Sequence, residues 1–245
     1  MPAFAEEPAL DAEAVSLSAV NKYELAAAQI DSSVAELKQA EEAGELGVTE
    51  GGGVFFIDPA TDTAALDSAE LNRAVVAAAA VPGSPAGGSL QGAPVTIYLD
   101  FDGAVVADTA WNKEQGDGPM TFAPAASADA AFQKIVWASI AEDYAPFNVN
   151  VTTTNPGDDA IYKTSAGDTQ YGVHMVITDS YTDVLDVAAN SGGIAYVGAT
   201  GDQYHAPAFV FTAGTGNNAK SVAEAASHEA GHNFGLRHDG IGAEE

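Results

Sequence analysis

Residues His228-Glu229-Ala230-Gly231-His232-Asn233-Phe234-Gly235-Leu236-Arg237-His238-Asp239 constrain this chain more than any other stretch, because they require one particular local structure. His228 and His232 are four apart, so on a helix both imidazoles face the same side, one turn apart. Gly235 tolerates the backbone angles of a sharp turn and can stop the helix, which lets His238 swing back toward the other two. Three imidazoles suit a tetrahedral zinc ion and leave its fourth position for water, as catalytic rather than structural zinc sites do. Glu229, next to the first ligand, is spaced to take a proton from that water. A helix with merely incidental histidines does not account for the shared face, the adjacent glutamate and the glycine stop together.

The order His-Glu-x-x-His-x-x-Gly-x-x-His followed by Asp resembles the metzincin metalloproteases, and the trailing Asp239 resembles their adamalysin (reprolysin-like) branch. The resemblance implies one catalytic zinc ion held by His228, His232 and His238, with Glu229 as general base and then general acid in peptide-bond hydrolysis. Gly235 and Asp239 would then shape the turn, Asp239 by hydrogen bonding rather than as a ligand. Asn233, Phe234 and Leu236 would pack around it.

Composition narrows the partners. The chain has 245 residues, of which 47% are hydrophobic, enough for a substantial core. Its 35 acidic against 8 basic residues give a net charge of -27. Nucleic acid and anionic membrane surfaces are therefore not expected as partners, since both need basic patches; a protein or peptide substrate is. There is no cysteine, so disulfides and a cysteine-based latency switch are excluded. No apolar run is long enough to span a bilayer. Ala3-Phe4-Ala5 looks like the tail of a signal cleavage site, which points to a secreted protein whose signal lies upstream of this start.

Along the chain, residues 10–46 read as helical, with Ile30, Val34 and Leu37 on one stripe and Gly44 as the stop. Val54 to Asp58 is a short strand. Residues 67–80 read as a helix capped by Asp67 or Ser68, with Leu71, Val75 and Val76 as its apolar side. Residues 81–91 read as a linker from their Pro, Gly and Ser content. The expected division is an N-terminal, propeptide-like extension over 1–91 and a second part over 92–245. In that second part, residues 95–101, 147–153, 173–178, 193–198 and 208–212 are strand-like. A helix runs from about 127 to 144, ended by Pro146. Ser221, with Glu224 three residues on, predicts a capping box for the histidine helix.

This order gives an α/β (α+β) fold. It resembles the metzincin upper subdomain over roughly residues 92–240: a twisted five-stranded mixed sheet, a long backing helix and a zinc-binding helix. Gly193-Ile194-Ala195-Tyr196-Val197-Gly198 is similar to the glycine-flanked edge strand preceding the zinc helix in adamalysin-like enzymes. The resemblance implies that Gly193, Ile194, Ala195 and Tyr196 bind an extended peptide by strand addition. Leu99 to Gly103 looks like the opening strand of secreted bacterial proteases of this type. If residues 1–91 are a propeptide, an acidic side chain from them is expected to cover zinc in a latent form, though the sequence does not name it.

Other candidates carry less. His174 reads as a sheet-face histidine, His205 as a loop residue, and Trp111 and Trp137 as packing residues. Asp100 with Asp102, and Asp158 with Asp159, are carboxylate pairs that could bind calcium (Ca2+), but neither has a full ligand loop. Met1, Met120 and Met175 all precede the histidine motif, so none can form the methionine turn that the resemblance implies below zinc. With Glu245 only seven residues after His238, the chain reads as truncated, lacking a lower subdomain. The readings are a secreted zinc metalloendopeptidase made with a pro-region, a non-catalytic zinc- or peptide-binding remnant of one, and, least, a non-peptidase zinc hydrolase.

Overall fold

Strand composition translates directly into a sheet. The computed structural model describes residues 21–60, 68–114, 116, 118–181, 183–186 and 191–238. Its elements run α1 (Lys22–Ile30), α2 (Val34–Ala43), β1 (Leu46–Val48), β2 (Val54–Pro59), α3 (Ser68–Ala80), β3 (Val95–Asp100) and β4 (Ala104–Val106). Then follow α4 (Ala110–Glu114), β5 (Met120–Phe122), α5 (Ala130–Asp143), β6 (Val149–Thr152), β7 (Tyr171–Thr178), β8 (Ser191–Tyr196), β9 (Ala208–Phe211) and α6 (Ala219–Asn233).

All five strands expected in the second part are present, as β3, β6, β7, β8 and β9. The sheet has seven strands rather than five, in the order β1-β2-β8-β9-β7-β3-β6. The two additional strands come from the N-terminal part, so the sheet continues across the boundary expected near residue 92. Strands β6, β3, β7 and β9 are mutually parallel. β8 runs antiparallel to β9, β2 antiparallel to β8, and β1 antiparallel to β2.

Each face of the sheet has its own core. On one, α5 and α6 bury Ile135, Val136, Trp137, Ile140, Val222 and Ala226 against Ile97, Leu99, Val151 and Met175. On the other, α4 and the β4–β5 hairpin bring Trp111, Met120 and Phe122 onto Phe55, Ile194, Tyr196, Phe209 and Phe211. A third, smaller cluster joins Ala26, Ile30, Leu37, Ala40, Leu46, Val48, Val54 and Phe56, with Val197 as its single buried member from beyond residue 60. Both tryptophans are fully buried packing residues.

Several local expectations shift. The helix expected over 10–46 is two helices over its described part, the rest lying outside the described residues. Asp31 adopts a left-handed conformation and Ser33 starts α2 with a capping box to Glu36, so the Ile30–Val34–Leu37 stripe spans a break. Gly44, at φ 76°, ends α2 as expected. On α3, Leu71, Val75 and Val76 face outward. The small residues Ala74 and Ala78 pack inward instead, because they let α3 lie close to α5. The cap expected at Asp67 lies outside the described residues. The segment expected as a linker is fastened to β6: Ser89 N–H donates to Val151 O at 3.0 Å and Thr153 N–H to Pro85 O at 2.8 Å.

Candidate metal centre

Helix α6 starts two residues before the expected capping box. The Asn218 side chain accepts from Lys220 N–H at 2.9 Å, and the cap falls there rather than at Ser221. Ser221 lies buried in the first turn. The helix then runs to Asn233 and ends as Gly235 demands. Gly235 sits at φ 94°, its N–H donates to His232 O at 2.8 Å, and Leu236 N–H donates back to Gly231 O at 2.9 Å. This reversal returns His238 to the helix face carrying His228 and His232. Asp239 lies outside the described residues.

The three rings converge. His228 Nε2 and His238 Nε2 are 3.0 Å apart, and the ring centroids of the three histidines lie 4.5–5.1 Å from one another. A fourth group joins them, and it is not on α6. Asp58, near the end of β2, holds Oδ1 3.3 Å from His228 Nε2 and 3.0 Å from His238 Nε2, with Oδ2 3.4 Å from His232 Nε2. Ligands about 2.0–2.1 Å from a tetrahedral zinc ion stand about 3.3–3.4 Å from one another. Asp58, His228, His232 and His238 thus form a set of donors spaced for one ion, the one such cluster among the described residues.

Ring chemistry agrees with that fit. His232 Nδ1 lies 2.9 Å from Leu236 O, and a carbonyl can only accept, so Nδ1 carries the proton. In the neutral ring Nε2 then presents a lone pair. That atom is buried with no hydrogen-bond partner among the described residues, as are Asp58 Oδ2 and both carboxylate oxygens of Glu229. Buried polar atoms left without partners are rare in folded proteins, and a cation is one of the groups that can satisfy them.

Electrostatics follow from the crowding. Burial acts to raise the Asp58 carboxyl, but the close approach of the His228, His232 and His238 rings outweighs it and holds the group well below the usual carboxylate range. The Asp58 carboxylate in turn raises His228 against the opposing effect of burial. Glu229 is fully buried, and burial, followed by the negative charge of Asp58, pushes its carboxyl well above the ordinary value.

Strand β8 lies immediately beside. Gly193 faces Glu229, and the alternation of the strand turns Ala195 to the same face while Ile194 and Tyr196 enter the aromatic core behind. Asn233 Nδ2 donates to Tyr196 O at 2.9 Å, fastening the end of α6 to β8. The edge of β8 expected to be free for a peptide is occupied by β2, with Phe55, Phe56, Ile57 and Asp58 opposite Tyr196, Ala195, Ile194 and Gly193. An apolar cleft of about 620 Å³, lined in part by Tyr144, Phe147, Val149, Phe234 and Leu236, opens on the flank of His228 and His232.

The remaining candidates sit elsewhere. His174 Nε2 lies 2.9 Å from Asp100 Oδ2 and its Nδ1 3.1 Å from the Tyr162 hydroxyl, the satisfied sheet-face arrangement. Asp100 Oδ1 accepts from Asp102 N–H, as in a turn. His205 is in a loop, paired with Asp202 at 2.7 Å. The residue that sequence reasoning did not identify is Asp58. Its only local signal is its position between the apolar run Val54–Ile57 and Pro59.

Among the described residues no helix is long and apolar enough to cross a membrane. No match was found among curated proteins or among solved structures. Residues 130–239, from the start of α5 to the end of the histidine motif, match the family described as metallo-peptidase family M12B, reprolysin-like, a similarity that together with the histidine–aspartate cluster supports a metzincin-like zinc metalloprotease.

Proposed function

We propose that the chain is a zinc metalloendopeptidase, exported and made with a pro-region over residues 1–91. The observation that carries this reading is the convergence of His228, His232 and His238 beside a buried glutamate, Glu229. The similarity of residues 130–239, a stretch that includes these residues, to reprolysin-like metallopeptidases supports it.

In this reading three neutral imidazoles, from His228, His232 and His238, hold the ion. When bound, zinc supplies Lewis acidity, bringing the pKa of a coordinated water down to about 7. Glu229 accepts the proton of the attacking water and then gives it to the leaving amine. The backbone of Gly193 to Tyr196, whose edge β2 occupies in this structure, would align an extended peptide as an added strand only where β2 leaves it. The net charge of -27, with 8 basic residues against 35 acidic, favours a protein or peptide substrate over nucleic acid.

The second reading, a non-catalytic zinc- or peptide-binding remnant, draws on one specific observation. With Asp58 in place all four positions around the ion would be protein atoms, as in structural zinc sites. A structural site, however, has no use for an unpartnered buried glutamate beside it.

The test is zinc content together with casein cleavage, for this chain and its Glu229→Ala variant, each also with Asp58→Ala added. One zinc per chain, with cleavage that depends on Glu229, supports the protease. One zinc with no cleavage in any variant transfers support to the remnant. A chain that binds no zinc overturns both.

A further inference from the structure

The cap of α6 falls at Asn218 rather than Ser221, which leaves Glu224 without the capping role its spacing suggested. Glu224 sits one turn before His228, about 6 Å along the helix axis. Among the described residues its one ion pair is with Lys220, at 3.5 Å, and both side chains are largely exposed. Exposed pairs of this kind contribute little, so another cation can replace the lysine at small cost.

Between Glu224 and the metal centre lies a recess of about 260 Å³. That is room for one side chain rather than for a whole ligand. It is distinct from the apolar cleft beside Phe234 and Leu236, since His228 is the single residue lining both. Gly192 and Gly193 form one wall from backbone alone. A Cβ on Gly192 would stand 3.6 Å from Thr215 Cγ2, so that methyl faces the same space, and Ala225 lines the helix side. Glu229 closes the inner end, fully buried and with neither carboxylate oxygen partnered among the described residues. Glu224 stands at the outer end. The recess therefore has short walls and carboxylates at its ends, and no lysine or arginine lines it.

We propose that this recess receives a lysine or arginine side chain of the substrate beside the bond to be cleaved, and that Glu224 is the residue that selects it. This rests on the zinc-protease reading above. Long cationic side chains lay their methylene stems on apolar surface and keep the charged head at a polar rim. Lysine's four-carbon stem suits the one-turn offset between His228 and Glu224. An acidic side chain entering the recess would meet like charge, which disfavours it. The net charge of -27 acts in the same direction, since it draws cationic segments toward the chain. In this structure β2 borders the recess through Asp58 and Pro59, whereas the walls from β8, Thr215 and α6 belong to the rest of the chain.

The experiment uses the full chain loaded with cobalt(II) in place of zinc. It is titrated with three hydroxamates of equal chain length, ending in an ammonium, a methyl or a carboxylate group, and binding is followed by the cobalt absorption bands. The ammonium probe should bind about two- to fivefold tighter than the methyl probe, the range for an exposed ion pair, and the carboxylate probe most weakly. Glu224→Gln should abolish the contrast and Glu224→Lys should reverse it, with cobalt content unchanged. Salt at about 1 M should shrink the contrast, because the screening length falls to about 3 Å. Asp143→Asn, which lies on the apolar cleft instead, is the control and should leave the order intact. Equal affinities for the three probes in wild type, or a contrast that survives Glu224→Gln, overturn the proposal while leaving the zinc-protease reading standing. So does a chain that binds cobalt but none of the probes. A chain that binds neither cobalt nor zinc overturns that reading and this proposal with it.

Discussion

Gly193 and Glu229 are fitted to one another: a Cβ on Gly193 would collide with Glu229 Oε1 and come within 2.7 Å of its Cγ. The glycine is thus a condition for burying the glutamate under the edge strand. Gly193→Ala is expected to cost about 1–3 kcal/mol, the range for overfilling a packed interior. The melting temperature should fall by about 2–4 °C for each kcal/mol in a chain of this size. Gly167→Ala is the control, since its Cβ would meet nothing within 4 Å. Calorimetry showing equal melting of the two variants would remove the steric argument.

Gly235 poses the opposite problem. A Cβ there meets no atom within 4 Å, but its φ of 94° lies where side chains are strained. Gly235→Ala should therefore cost about 1–2 kcal/mol through backbone conformation alone. Because this turn returns His238 to the other ligands, zinc affinity should fall as well. Competition with a chromogenic chelator would measure it. Unchanged affinity would mean that His238 does not depend on the turn.

Asn233 links the two halves of the candidate site through its bond to Tyr196 O. Asn233→Ala removes that buried bond, at a cost of about 1–3 kcal/mol. It should also loosen the alignment of β8 with α6, so any cleavage should fall further than stability alone would require. Melting and cleavage rates measured on the same preparation separate the two effects. A loss of activity fully matched by unfolding would leave Asn233 a purely structural residue.

Legibility in the sequence followed the range of the interactions. The strands β3, β6, β7 and β9 could be read because alternation and β-branched composition are local signals, whereas β8, with Ile194 as its one β-branched residue, was legible from its flanking glycines and the family resemblance. The turn at Gly235 could be read because one residue type decides it. The break between α1 and α2 was also written locally, in Ser33 and Glu36, but the apolar stripe of Ile30, Val34 and Leu37 runs across it and concealed it. The inward face of α3 was misread because close approach to α5 favours Ala74 and Ala78 over larger neighbours. Asp58 was beyond reach for a different reason. Nothing local ties it to His228, and only the antiparallel pairing of β2 with β8 brings the two together.

Metal removal tests the whole centre at once. Without an ion, His232 Nε2, Asp58 Oδ2 and the Glu229 carboxylate have no partners among the described residues, so the apo site keeps its desolvation cost uncompensated. Zinc should therefore stabilise the fold by mass action, by about 2.7 kcal/mol when the free ion is at one hundred times its Kd. Dialysis against a chelator should lower the melting temperature, and returning one equivalent of zinc should restore it. The gain should shrink in His232→Ala, which loses the most buried of the three imidazoles. It should shrink less in His238→Ala, whose ring is partly exposed. Equal melting of the apo and zinc-loaded protein would show that the four groups do not act together as a metal centre.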